Sequence, residues 1–310
     1  MMKVGNKETS IRFWDRNALE WSSMAYNKSG DYKRFPTSEQ RGGIVANEIK
    51  KNSSNNNASI LDIGCADGDL LISLIDMGYS NVTGIDNSQG MIDKARQTLS
   101  DKHINLDSDD IFNIQDADCL DLHRKYDFIS AMGLIEYLTN LDSFFLKIHS
   151  HLNNDGIALI ESRNKLFNLS SANTYTLNSD IETLLIELEN SKKFSQIVDD
   201  HEISNLIASV YNGINIDNSL INVNNNKNLP YEEYPFDLPQ YSPSELNIIL
   251  EKNGLTIRHV VYYHAHPFPP IFQNSIGAVF NRLADEMQPL GHTSIGATMF
   301  SSFVATVEKL

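Results

Sequence analysis

The chain has 310 residues, 41% of them hydrophobic and 21% charged, which fits a folded globular protein with a sizeable core and excludes collagen-like or low-complexity classes. Its formal net charge of −15 repels phosphate backbones and anionic lipid heads, so neither a nucleic-acid partner nor a membrane partner is expected. Two cysteines, Cys65 and Cys119, cannot form a disulfide framework; the start MMKVGNKETSIRFW lacks the apolar core of a signal peptide, and a cytoplasmic location is expected.

Residues 1–51 are expected to form an N-terminal helical segment, with Ile11, Phe13, Trp14, Leu19, Trp21, Met24 and Tyr26 giving 9–27 an aromatic-rich helical texture. That segment either packs on the core or lies over a ligand as a lid. The polar tract at 52–57 (NSSNNN) reads as a linker. Ser59–Ile63 then forms a short apolar strand, and Asp69–Met77 a helix stopped by Gly78. A second strand covers Asn81–Asp86, and Ser88 caps a helix running to about Leu99. Strands are expected at Ile111–Gln115, Tyr126–Ala131 and Gly156–Glu161. Between the last two, Leu141, Phe144, Phe145, Ile148 and Leu152 mark one face of a helix. Alternating strands and helices imply right-handed crossovers and a doubly wound, mostly parallel α/β sheet.

The rhythm breaks over 165–240, which reads as an insertion covering the substrate site, next to an α/β core at 58–164. Within it Ser179 and Glu182 suggest a capping box for a helix bearing Ile181, Leu184, Leu185 and Leu188. A second helix is expected over 202–211, a polar loop over 222–228, and an extended, Pro-bounded stretch over 229–239. The core resumes at 241–310: a capped helix from Ser242-Pro243-Ser244-Glu245 to Gly254, a strand at Leu255–Tyr263, a helix over 275–287 and a last strand at Ser302–Glu308.

The chemistry concentrates at the first strand–helix junction, Asp62-Ile63-Gly64-Cys65-Ala66-Asp67-Gly68-Asp69. Glycines there permit a tight turn and close approach to a ligand, as an ordinary structural turn also would. A dinucleotide fingerprint would need glycines where Ala66 and Asp69 stand, and Asp67 and Asp69 would repel a pyrophosphate; no P-loop Gly-Lys-Ser/Thr follows. The loop suits a cationic or zwitterionic ligand. Asp86 ends the second strand, where a carboxylate accepts ribose hydroxyls. Together these point to a nucleoside carrying a positive charge.

Asp62-Ile-Gly64-Cys-Ala-Asp-Gly68 resembles the first motif of the class I S-adenosylmethionine-dependent methyltransferases. The resemblance implies a Rossmann-like sheet of seven strands whose last strand is antiparallel, S-adenosyl-L-methionine as cofactor, and methyl transfer by in-line displacement. It also implies cofactor-binding roles for Asp62, Gly64, Cys65, Ala66, Gly68, Asp86, Asn87, Met91, Asp116, Ala117 and Met132, with Ala117-Asp118 as an alternative to Asp116-Ala117. After strand four the family's Leu-Glu-His-like turn is matched by Leu134-Ile135-Glu136-Tyr137, without the His. Arg163-Asn164-Lys-Leu-Phe-Asn and Tyr263-His264-Ala-His266-Pro-Phe-Pro-Pro are similar to a bacterial subset associated with surface-polysaccharide modification.

The activated donor leaves positioning as the main catalytic demand, with a base needed only where the acceptor must lose a proton. Candidate acceptor-side groups are Glu136, Tyr137, Arg163, Asn164, His264 and His266; the first choice for base or anchor is His264 or His266, with Glu136 third. The histidine pair could equally be a structural pair satisfied by backbone. Two ligands are too few for a metal, and none is expected. The expected acceptor is a small molecule or a glycan-type intermediate; a nucleotide-cofactor oxidoreductase and a catalytically silent S-adenosylmethionine-binding protein are the alternatives.

Overall fold

The computed structural model describes residues 11–16, 18, 37–53, 55–102, 106–195, 238–270 and 277–310. The expected helix at 202–211, the loop at 222–228 and nearly all of the stretch at 229–239 lie outside them, as do most of residues 1–36. In chain order the main elements are α1 (Thr37–Asn52), β1 (Ile60–Ile63), α2 (Asp69–Asp76), β2 (Val82–Asp86), α3 (Gln89–Asp101), α4 (Ser108–Ile111), β3 (Phe112–Ile114), β4 (Tyr126–Ala131), α5 (Leu141–His151), β5 (Leu152–Arg163), α6 (Thr174–Asn178), α7 (Ile181–Ser191), α8 (Pro243–Glu251), β6 (Leu255–Ala265), α9 (Gly277–Glu286), α10 (Gly296–Met299) and β7 (Phe300–Lys309).

The seven strands form one sheet in the order β3-β2-β1-β4-β5-β7-β6. β1 pairs in parallel with β2 and β4, β2 with β3, and β4 with β5. β7 runs antiparallel between β5 and β6. This is the doubly wound, mostly parallel α/β sheet that the sequence implies. The order reverses between β1 and β4, and the first glycine loop leaves the sheet there, where such folds bind ligands. The strands are near-continuous apolar runs because helices cover both faces. One face buries Val45, Ile49, Leu71, Ile92 and Phe128; the other buries Ile129, Phe145, Ile148, Leu184, Leu250 and Phe303.

Several boundaries differ from the sequence reading for local reasons. Leu152, at the end of the apolar helical face, opens β5, where it is fully buried beside Tyr126. Asp180, not Ser179, caps α7, its carboxylate accepting from the Glu182 amide; the Ser179 hydroxyl instead donates to the Tyr175 carbonyl, closing α6. β3 is only three residues long, and Ile111 ends the turn of helix before it. The caps at Ser88 and at Ser242–Glu245 form as the sequence implies. Of the aromatic segment near the N-terminus, residues 11–16 and 18 are described and helical.

Helix α1 falls within the helical segment expected over 1–51, although that expectation set no bounds for it. It lies on the β6–β7 edge, where the buried Glu48 carboxylate accepts from Thr306 Oγ1 at 3.4 Å and faces His259 Nε2 at 3.2 Å and Lys51 Nζ at 2.9 Å. Burial alone would raise the Glu48 pKa, but hydrogen bonds and charge from His259 and Lys51 outweigh it and lower the value to about 2. Among the described residues no helix is long and apolar enough to cross a membrane.

Candidate active site

The loop after β1 is built from three residues in the left-handed region: Gly64 (φ 75°), Ala66 (φ 47°) and Gly68 (φ 77°). A Cβ on Gly68 would stand 2.7 Å from the Phe112 ring, so only glycine fits. Ala66 carries a left-handed backbone at a cost of about 1 kcal/mol. Its amide donates to Asp86 Oδ2 at 3.0 Å, which holds the loop in that shape, and the Gly64 and Cys65 amides donate to the Ile85 carbonyl. Cys65 is buried, and burial raises its thiol pKa well above the ordinary value.

Asp62 stands in register with Ser130 on β4 and accepts its hydroxyl at 2.7 Å. Burial raises its pKa to about 7, against the opposing effects of Ser130 and the Arg41 charge. Asp86 also accepts from the Ser88 amide at 2.9 Å, and burial raises its pKa despite those backbone bonds. Each carboxylate oxygen has a second lone-pair site, so Asp86 retains capacity for hydroxyl donors. Asn87 and the buried Met91 follow at the start of α3. The Gln115 amide donates to the Asp86 carbonyl, bringing the Asp116-Ala117 turn beside the end of β2; Asp116 caps that turn through the Asp118 amide, and Ala117 is buried. Met132, also buried, follows β4.

Across the cleft, Glu136 is buried in the turn after β4. Its Oε1 accepts from the Arg163 amide at 2.9 Å, and its buried Oε2 has no partner among the described residues. Burial, with the neighbouring Glu161 charge, raises its pKa to about 7. Arg163 ends β5, and Asn164 donates to the Ala297 and Phe300 carbonyls, a structural duty that occupies its amide. His264 sits at φ 61° with Nδ1 at 2.8 Å from Ser301 Oγ. The His266 ring lies 4.6 Å from both His264 and Phe167 and 5.7 Å from Phe280, centroid to centroid. Both His266 ring nitrogens are buried without a partner among the described residues. Burial lowers His264 to about 4 and His266 to about 2, so both imidazoles are neutral in ordinary buffers.

The structure therefore brings the ends of β4, β5 and β6 together on one edge, with the glycine loop and Asp86 on its other side. It also adds residues that the sequence reading lacked. Arg41 of α1 reaches Glu161 Oε2 at 2.9 Å, beside Gly133 and close enough to Asp62 to affect its titration. Glu161 in turn accepts from the Tyr263 hydroxyl, whose pKa is driven well up by burial. From the N-terminal segment, Asp15 accepts from Ser88 Oγ at 2.5 Å and from the Gly90 amide at 3.2 Å, while Trp14 meets Tyr137 edge-on at 6.1 Å. That short segment thus touches both flanks of the cleft. Asp15 reaches the start of α3 from late in its own helical stretch, so neither it nor Arg41 carries a local sequence signal. Among the described residues no group of three metal-ligating side chains assembles.

An acidic strand edge with a glycine cradle and, among the described residues, Arg41 near Asp62 fits a nucleoside with a cationic tail and a carboxylate. The fold is that of the class I S-adenosylmethionine-dependent methyltransferases. The chain belongs to the methyltransferase-domain family, whose match covers residues 38–260. It is 32% identical over 114 residues to EEF1A lysine methyltransferase 2 of Danio rerio, covering 36% of this chain and 47% of that protein. It is 28% identical over 121 residues to the ubiquinone biosynthesis O-methyltransferase of Rickettsia conorii, covering 39% of this chain and 38% of that protein. The matched region thus spans less than half the length of these curated relatives. The magnesium protoporphyrin IX methyltransferase from Synechocystis PCC 6803, solved with bound SAH, shares the fold with a TM-score of 0.55 at 14% identity, over 98% of this chain and 99% of that one.

Proposed function

We propose that this protein transfers a methyl group from S-adenosyl-L-methionine to a hydroxyl of a small-molecule or glycan-type acceptor by in-line displacement, with Glu136 as the proton acceptor. The observation that carries the reading is the buried, unpartnered Glu136 Oε2 on a carboxyl poised near neutrality. A base is most effective when its pKa lies close to the working pH, whereas imidazoles held at about 4 and about 2 are poor bases. His264 and His266 accordingly serve as a neutral wall beside the acceptor. The similarity of the His264-Ala-His266-Pro segment to polysaccharide-associated methyltransferases supports a glycan-type acceptor.

When bound, the cofactor supplies an already activated methyl group on a sulfonium. Asp86 accepts its ribose hydroxyls, Asn87, Met91, Asp116, Ala117 and Met132 surround the adenine side, and the Gly64–Gly68 loop admits the tail. Asp62 would offer a carboxylate to the tail's amine, and Arg41 a guanidinium to its carboxylate. Residues 11–16 and 18, fastened at Ser88, Gly90 and Tyr137, act as a lid.

The test is S-adenosylhomocysteine formation from S-adenosylmethionine across a panel of phenols, hydroxy acids and sugars, with product mass showing one added methyl on oxygen. Methylation confined to amines would overturn the hydroxyl reading. Binding of cofactor without turnover of any panel member would favour a silent binding protein. Removing residues 1–27 is expected to weaken S-adenosylhomocysteine binding by about tenfold, the value of one or two lost contacts, while the melting transition persists. Global unfolding of the truncated chain would instead assign the segment to core packing.

A further inference from the structure

The guanidinium of Arg163 differs from those of three other arginines around the sheet. Arg41, Arg96 and Arg258 each pair with a carboxylate. Arg163 is half-buried at the end of β5, and among the described residues no carboxylate comes within ion-pair range of its guanidinium. Glu136 engages its backbone amide instead, and the guanidinium lies over the Tyr175 ring at 5.9 Å. Its charge depresses the His264 pKa, so it lies on the acceptor side of the site. It shares a strand face with Glu161, two residues earlier, whose carboxylate is already engaged by Arg41 and Tyr263.

An unpaired, partly desolvated cation is costly to keep unless a ligand completes it. This one sits in a chain of net charge −15, beside Glu136 and Glu161, where an anionic acceptor would otherwise be repelled. The cofactor side has its own guanidinium in Arg41, whose charge acts on Asp62, whereas that of Arg163 acts on His264 and Glu136. A guanidinium presents a planar fork that matches an oxyanion, and the Tyr175 ring holds the fork in place. The Glu136 carboxyl is fixed to the same residue's backbone, so the anchor and the proton acceptor are one arginine side chain apart.

We propose that Arg163 is a specificity-determining residue that anchors an anionic group, carboxylate or phosphate, on the acceptor, selecting hydroxylated acids or phosphorylated hydroxy compounds over neutral ones. The proposal rests on the methyl-transfer reading for the role of the site but is tested separately from it. D-glucuronate, inorganic phosphate and D-glucose are each titrated by NMR into the full chain with S-adenosylhomocysteine added. The wild type binds at least one of the two anions about tenfold more tightly than glucose, and the better of the two identifies the anchored group. Arg163→Gln removes that preference while S-adenosylhomocysteine affinity stays as it was. Arg163→Lys, which keeps the charge without the fork, retains part of the phosphate binding and loses most of the glucuronate binding, and provides the comparison if the Gln variant does not fold. Anions that bind no better than glucose, or a preference that survives in either folded variant unchanged, overturn the proposal. Loss of S-adenosylhomocysteine binding in the wild type would fail the methyl-transfer reading instead, and the anion titration still reads Arg163.

Discussion

Glu136→Gln is expected to lower turnover of a hydroxyl acceptor by about 10²–10⁴-fold, the usual contribution of a positioned general base. The substitution is close to isosteric. The Gln carbonyl still accepts from the Arg163 amide, so the turn after β4 stays in place and only proton acceptance at the second oxygen is lost. S-adenosylhomocysteine affinity should therefore remain near that of the wild type. The pH profile gives a second reading. Glu136 acts as a base only when ionised, and its pKa is raised to about 7, so wild-type turnover climbs with pH up to about 7 and levels off above it. The variant should lose that ascending limb along with the rate. A variant that keeps both would place the base elsewhere and leave Glu136 a structural carboxyl.

Asp62 gives the second large effect, and it falls on binding rather than turnover. Its pKa is raised to about 7 by burial in the sheet, so near neutrality it is partly protonated. The ionised form is the one that attracts a cationic amine. Cofactor affinity should therefore rise with pH by up to about tenfold per unit below 7 and flatten above. Asp62→Asn should bind weakly and without that slope, as titration calorimetry from pH 6 to 8 would show. A steep slope in the variant would assign the proton to another group.

Stability should move the other way. A carboxyl whose folded pKa lies above its unfolded value of 3.8 favours folding while protonated, and that advantage fades as pH rises from about 4 through about 7. At pH 8 the apoprotein with Asn at this position, which still accepts the Ser130 hydroxyl, should be more stable than the wild type by ~2 kcal/mol or more. Melting curves of the two proteins without ligand check the sign.

The sheet and the cofactor side were legible because their signals are local. The glycine loop, Asp86 at the end of β2 and the caps at Ser88 and Ser242 each need only a few neighbouring residues to be recognised. Helix α1 was legible only as part of the helical segment over 1–51, not as an element with bounds. Gly42 and Gly43 interrupt its first turns, and only Val45, Glu48 and Ile49 are fully buried, so no broad apolar stripe announces it. Arg41 was missed within it. The weakly alternating β3, with two of three side chains exposed, was placed but not bounded. Ser179 and Asp180 are both good caps by composition, and only the direction of the chain leaving α6 decides between them.

The chemistry of the acceptor side was legible as residue types and not as strengths. Glu136 and the two histidines were all visible in the sequence. Their ranking depends on burial and on partners distant along the chain: Glu161 beside Glu136, and Phe167 and Phe280 around His266. Sequence spacing carries none of that: burial raises the Glu136 carboxyl and lowers the two imidazoles, each through its own neighbours.

Helix α1 is held at Glu48 by the outer β6–β7 pair of the sheet and presents Arg41 to the site two turns earlier, about 10 Å along its axis. It works as a strut whose footing and tip belong to different parts of the molecule. Side chains at the footing, such as Thr306 and His259, therefore set where a guanidinium stands in a pocket they never touch, and sequence drift on that remote edge can retune ligand grip without altering a single residue of the cradle.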